Sequence, residues 1–261
     1  MAALPSPLPP MSSFQFRHFL IHQDRCAMKV GTDGVLLGAW ASLPSFTTAP
    51  ENNTSLLDIG TGTGIIALML AQRTAQPPFS RPFDITALEI DPTAAQQAQE
   101  NVAASPWHDR ITVHPLSLQA FAETCSPQNY ALIVSNPPFY NATLKPTDEG
   151  RALARHKDAL PVSDIARFAS THLCENGRLA LIYPTAYDSE VMTAAVLSSL
   201  HPVRICDILT KVGKPCKRRM AEFSLQNAPI SREQLIIRDA DGKYTADYRA
   251  LTADFYLHLS D

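Results

Sequence analysis

Ser135-Asn136-Pro137-Pro138-Phe139-Tyr140 follows directly on an apolar run at 131–134. Two successive prolines fix φ at about −65° and remove two backbone donors, and the first of them pushes Asn136 into an extended conformation. The outcome is a stiff rim offering the Asn136 amide oxygen and the Pro137 carbonyl as acceptors, with an aromatic ring alongside. Two acceptors and a stacking plate suit a planar group that carries an NH₂. A second set, Asp58-Ile59-Gly60-Thr61-Gly62-Thr63-Gly64, puts three glycines where a strand gives way to a helix. Glycine lets backbone turn through positive φ and approach a ligand closely, and a helix N-terminus beyond it favours an anionic or polar group. The spacing is D-x-G-x-G-x-G, with Ile65 where a dinucleotide fingerprint would require Gly or Ala. Glu89 closes the next apolar run, where a carboxylate can accept both hydroxyls of a ribose. Each feature alone has a plainer reading as a rigid turn, a strand–helix loop or a solvated acid.

Chemistry of this kind needs a scaffold that brings strand ends together. From about position 55 the chain alternates apolar runs with helix-like segments. Strands are expected over 55–59, 84–90, 111–114, 131–135 and 178–183, and helices over 65–73, 91–104, 162–173 and 185–200. Asp91-Pro92 reads as an N-cap with proline at the first helical position. Apolar strands alternating with helices predict a parallel sheet covered on both faces, with ligands at the carboxyl ends of its strands. Past Leu200 three strand-like runs, 203–209, 221–225 and 234–238, follow one another without helices and are expected to add antiparallel strands at the sheet edge. A last helix is expected over 245–258. The fold class is therefore α/β, a doubly wound, Rossmann-like sheet. Residues 1–13, with four prolines, read as a flexible tail. Residues 14–261 read as one domain, with an N-terminal extension (14–54), a core (55–200) and C-terminal edge strands with a helix (201–261).

Composition narrows the class. Of 261 residues 45% are apolar and 18% charged, as in ordinary globular proteins. No run approaches the roughly 18 apolar residues that a membrane-spanning helix needs, and the proline-rich start lacks the basic region of a signal peptide. Five scattered cysteines, never spaced C-x-x-C, argue against a zinc site or disulfide framework and for a reducing cytoplasm. His18 and His22 have helical spacing but no third ligand nearby, so no metal is expected. The net charge of −3 excludes a uniformly basic nucleic-acid coat, yet Lys211, Lys214, Lys217, Arg218 and Arg219 lie within nine positions free of acids. Such a strip binds anions or is simply a solvated loop.

The glycine turn resembles the first motif of S-adenosylmethionine-dependent methyltransferases. Asn136–Phe139 resembles the N-P-P-[FY] motif of those acting on an amino or amide nitrogen conjugated to a π-system. Taken in order, residues 14–40, the glycine turn, 98–110 with Gln99-Glu100-Asn101 and Ser105-Pro106-Trp107, the N-P-P-F rim and the closing Tyr/Phe-rich segment resemble the bacterial tRNA1(Val) adenine N6-methyltransferases. The resemblance runs from about Phe14, and 24–40 is its most family-specific part. It implies S-adenosylmethionine as cofactor, tRNA as partner and adenine 37 as target. The cofactor contacts it implies are Lys29 and Thr32 in a loop over the ligand, Asp58 facing the methionyl group, Gly60, Gly62, Gly64 and Glu89. Ser117 stands where the family commonly has an acid for the adenine amino group, and accepts a weaker hydrogen bond. The catalytic set implied is Asn136, Pro137 and Phe139, with Pro138, Tyr140, Lys214, Lys217, Arg218 and Arg219 toward the RNA. Besides another RNA or DNA amino-methyltransferase, two rivals stay open at this point. One is methylation of a protein glutamine amide, although those enzymes carry a larger helical domain ahead of the core and only about fifty residues precede it here. The other is an RNA-binding module with a relic pocket.

Overall fold

The computed structural model describes residues 13–26, 28–43, 55–77, 83–124, 130–139 and 160–257. Tyr140, nearly all of the 1–13 tail and the segment 141–158, whose Lys145, Arg151, Arg155 and Lys157 are by sequence the alternative basic surface for RNA, lie outside them. A small antiparallel pair, β1 (Ser13–Gln15) and β2 (Leu20–His22), precedes α1 (Thr32–Trp40). Then come β3 (Ser55–Ile59), α2 (Ile65–Thr74), β4 (Asp84–Leu88), α3 (Pro92–Ala103), β5 (Ile111–His114), α4 (Leu118–Thr124) and β6 (Tyr130–Ser135). The second half adds α5 (Val162–His172), β7 (Leu173–Pro184), a 3₁₀ turn (Thr185–Tyr187), α6 (Asp188–Leu197), β8 (His201–Lys211), β9 (Arg218–Ser224), β10 (Ser231–Arg238) and α7 (Ala246–Thr252).

Eight strands form one sheet in the order β10-β8-β9-β7-β6-β3-β4-β5. The sheet starts at β3 and grows outward in both directions, so the order reverses between β3 and β6. The antiparallel pairing expected of the C-terminal strands is supplied by β9, which runs against both β7 and β8. The outermost strand, β10, pairs parallel with β8.

Both faces of the sheet are covered, as continuous apolar strands require. Leu56, Leu132 and Val134 point into a core with α1, α2, α3 and α7. Their neighbours Leu57, Ile59 and Ile133 point into a second core with α4, α5 and α6. Asp91 caps α3 by accepting from Thr93 N (2.7 Å) and Ala94 N (3.1 Å), with Pro92 at the first helical position. Helix α1 lies tightly on α2, close enough that a Cβ on Gly38 would come within 2.8 Å of the Met69 sulfur.

Several boundaries differ from the sequence expectation: β4 stops at Leu88 rather than 90, β7 starts at Leu173 rather than 178 and β9 at Arg218 rather than 221, and two further differences have a visible cause. The segment expected as one helix over 185–200 begins instead as the 3₁₀ turn, because Thr185 N is drawn to the Lys217 carbonyl at 3.2 Å. The closing helix stops at Thr252: the Phe255 carbonyl accepts from Arg17 N (2.7 Å) and Tyr256 bridges to Phe16, so pairing with the N-terminal segment overrides helix propensity.

Candidate active site

The site is built where the sheet order reverses. Ile59 is in register with Leu88 of β4 and with Ser135 of β6, so the glycine turn, Glu89 and Asn136 leave the sheet at one level. Ser135, fully buried, donates from Oγ to the Ile59 carbonyl at 2.7 Å and joins the ends of β3 and β6. No sequence signal marked this serine beyond its place before Asn136.

All three turn glycines have left-handed backbone, with φ of +75° at Gly60, +56° at Gly62 and +84° at Gly64. A Cβ on Gly62 would meet no atom within 4 Å, so this stretch of backbone borders open space. Gly62 N donates to Glu89 Oε2 at 2.8 Å, and Asp91 N donates to Oε1 at 3.0 Å. Glu89 is thereby aimed across the turn while half-buried, with lone pairs left on both oxygens.

Asp58 is used differently from the contact the resemblance implies. It has no exposed surface, and its Oδ2 accepts from Thr61 Oγ1 (2.5 Å) and Ala67 N (3.2 Å). It fastens the glycine turn onto the first turn of α2. Burial, with a smaller contribution from the Glu89 charge, pushes its carboxyl up to about 7, while the two hydrogen bonds act to lower it. Ser117 is likewise engaged locally: its Oγ accepts from Ala120 N at 3.1 Å and caps the start of α4.

The segment ahead of α1 is clamped by one face of α3, a relation the sequence did not disclose. Gln97 accepts from Arg25 N (2.9 Å) and donates to Asp24 (2.8 Å), and Glu100 pairs with Arg25. Asn101 accepts from His22 N and donates to His22 O and Thr63 O, all at 2.9 Å, joining this segment to the glycine turn. Cys26 is raised to about 11 by burial and then by the Glu89 and Asp91 charges, which keeps it a thiol beside the site. Lys29 and Thr32 are exposed on the approach to α1, whose Gly34 packs against Ile65 and Ile66 at the start of α2.

On the other side of the glycine turn, Asn136 is half-buried, and its amide has no hydrogen-bond partner among the described residues. Pro137 is buried, while Pro138 and Phe139 are partly open. Phe139 leans on Tyr187 (ring centroids 4.8 Å apart) and Tyr183 (6.3 Å). Leu160 lies 3.7 Å from the point a Cβ on Gly60 would occupy, which brings the start of α5 over the turn.

The basic strip divides in two. Lys214 and Lys217 are exposed on the β8–β9 hairpin. Arg218 instead pairs with Asp33 at the start of α1 (2.9 Å), and Arg219 pairs with Asp188 and Asp207 (2.7 Å each). Arg219, with two carboxylate partners, has an 18% exposed side chain, and Arg218, with one, is 42% exposed. Among the described residues no group of three His, Cys, Asp or Glu side chains could hold a metal, and no helix is long and apolar enough to cross a membrane.

A glycine turn with open space at Gly62, a carboxylate aimed across it and a proline rim level with it have the layout of an S-adenosylmethionine-dependent methyltransferase. Residues 42–204 match the family model of the methyltransferase small domain. A crystal structure of a predicted O-methyltransferase from Agrobacterium tumefaciens shares the fold, with a TM-score of 0.62, 20% identity and coverage of 85% of this chain and 96% of that one. The tRNA1(Val) (adenine(37)-N6)-methyltransferase of Bacteroides thetaiotaomicron is 42% identical over 94% of this chain and 98% of its own length. The protein of the same name from Aeromonas hydrophila is 42% identical over 95% and 98%. The chain belongs to the tRNA1(Val) (adenine(37)-N6)-methyltransferase family.

Proposed function

We propose that this protein methylates the exocyclic N6 of adenine 37 in the anticodon loop of tRNA1(Val), with residues 14–261 acting as one methyltransferase domain in the cytoplasm. The observation that carries the reading is the half-buried Asn136 amide, without a hydrogen-bond partner among the described residues, on a rigid proline rim held level with the glycine turn by the Ser135–Ile59 bond. The residues present fit the cofactor: open space at Gly62, lone pairs on Glu89 and a turn locked by Asp58. Gly60, Gly62, Gly64 and Glu89 would hold it, with Lys29, Thr32 and Ser117 around it and Asp58 acting through the turn. When bound, S-adenosylmethionine supplies an electrophilic methyl group on sulfonium.

The amino nitrogen of adenine is a poor nucleophile because its lone pair is delocalised into the ring. Asn136 Oδ1 and the Pro137 carbonyl each accept one amino proton, which draws the lone pair out of conjugation and fixes its direction. The N–C bond would form on that lone pair as the methyl–sulfonium bond breaks to leave a neutral thioether, and one amino proton would then leave to water. Phe139 stacks on the base, a contact of about 1–3 kcal/mol, with Pro138 beside it on the rim. The adenine must first be splayed out of its loop. Positioning and fixed dipoles carry the rate. Lys214 and Lys217, exposed on the β8–β9 hairpin, offer their ammonium groups to phosphate. Labelled S-adenosylmethionine offered with separate pools of tRNA, rRNA and protein tests the class of acceptor. Label is expected in tRNA as N6-methyladenosine, and label in protein would overturn the reading.

A further inference from the structure

Arg219 on β9 is only 18% exposed because it bridges two carboxylates, with Nη1 on Asp188 and Nε on Asp207, each at 2.7 Å. Asp188 opens α6 directly after Tyr187, and its Oδ1 also accepts from the Tyr183 hydroxyl at 3.0 Å. The other end of the 3₁₀ turn is tied to the same hairpin: Thr185 N donates to Lys217 O (3.2 Å) and Thr185 Oγ1 to Cys216 O (3.1 Å). A three-residue turn is thus fastened at both ends. The Tyr187 ring on this turn meets the Phe139 ring at a centroid distance of 4.8 Å and an angle of 47°.

Two prolines stiffen the backbone before Phe139, but they leave its side-chain torsions to its neighbours. A planar guanidinium held by two carboxylates fixes direction as well as distance. The plane of a stacking ring matters because misplacing a bound group by about 1 Å can cost roughly 100-fold in rate.

We propose that Arg219 and Tyr187 are positioning residues for the target base: Arg219 holds the 185–187 turn, and Tyr187 on that turn sets the plane of the Phe139 ring. Neither touches the reacting atoms. The inference rests on the function proposed above, because it supposes that a base stacks on Phe139.

The test is single-turnover methylation of a full-length tRNA1(Val) transcript, with S-adenosylmethionine affinity measured by calorimetry on the same preparations. Tyr187→Ala is expected to lower the rate at saturating RNA by about 10- to 100-fold, with cofactor affinity within about twofold of wild type. Tyr187→Phe, which keeps the ring, is expected to restore the rate to within about threefold. Arg219→Met is expected to match Tyr187→Ala, and the double variant to be no slower than the slower single one, because both act through one ring. Should Arg219→Met fail to fold, Asp188→Asn is read in its place. Single variants within twofold of wild type, cofactor affinity that falls in step with the rate, or losses that multiply in the double variant would each overturn the proposal. A wild-type protein that leaves adenine unmethylated removes the functional reading itself, and the proposal with it, before any variant is compared.

Discussion

At Asn136 an amide stands half-buried with no hydrogen-bond partner among the described residues, at the end of a strand whose other side chains are buried. A half-buried amide at that place can meet water or a ligand, and the proposed function gives it the amino group of the base. Asn136→Ala should therefore lower methyl transfer by roughly two to three orders of magnitude while calorimetry finds cofactor affinity nearly unchanged. A near-normal single-turnover rate would remove the role given to it. The rim and the glycine turn were legible in the sequence because proline and glycine act on the backbone locally. Asp58 was legible as a site residue but not in its use, since its full burial depends on the helices packed over it. Its carboxyl ordinarily ionises near 3.8 and here near 7. The group's contribution to stability is thus complete below about 3.8 and is lost as pH rises through about 7, by at most about 1.4 kcal/mol per unit. Asp58→Asn keeps an acceptor for Thr61 and Ala67 and removes the ionisation. Denaturation between about pH 5 and pH 8 should cost the wild type more stability than the variant; equal losses would contradict the raised carboxyl.

Elements carry what single residues cannot. Helix α1 escaped the sequence reading because every residue from Gly34 to Trp40 is buried, and a helix covered all round shows no periodic stripe. The clamp from α3 onto the segment before α1 joins residues more than seventy positions apart, such as Arg25 and Gln97, so composition gave no sign of it. The β8–β9 hairpin shows the same limit. Its five cations read as one patch along the chain, but partners 185 positions away for Arg218 and 12 for Arg219 take two of them. Of the three lysines left, Lys211 is half-buried while Lys214 and Lys217 are exposed, and these two are the proposed phosphate contact. Replacing both with alanine should flatten the dependence of log affinity for tRNA on log salt by about 0.7–0.9 for each phosphate that is no longer neutralised, and leave cofactor affinity unchanged. A wild-type slope in the double variant would assign the RNA contact to the basic residues of 141–158.

The whole molecule is a sheet with a core on each face, whose strand order reverses beside the site. Alternating apolar strands and helices made that architecture readable from position 55 onward. The inset β9 was less readable, because its place depends on pairing with β7 and β8 together. β3 and β6 stay paired up to Ile59 and Ser135 at their carboxyl ends, so the glycine turn and the proline rim emerge side by side on a rigid frame. Such a frame presents one exocyclic amino group to one methyl donor. Mass spectrometry of tRNA1(Val) transcript fragments, after reaction with S-adenosylmethionine, reads that selectivity directly. A single added methyl is expected, on the adenine at position 37, with no product from a transcript carrying guanosine there. Methylation at another position, or undiminished methylation of the guanosine transcript, would contradict it.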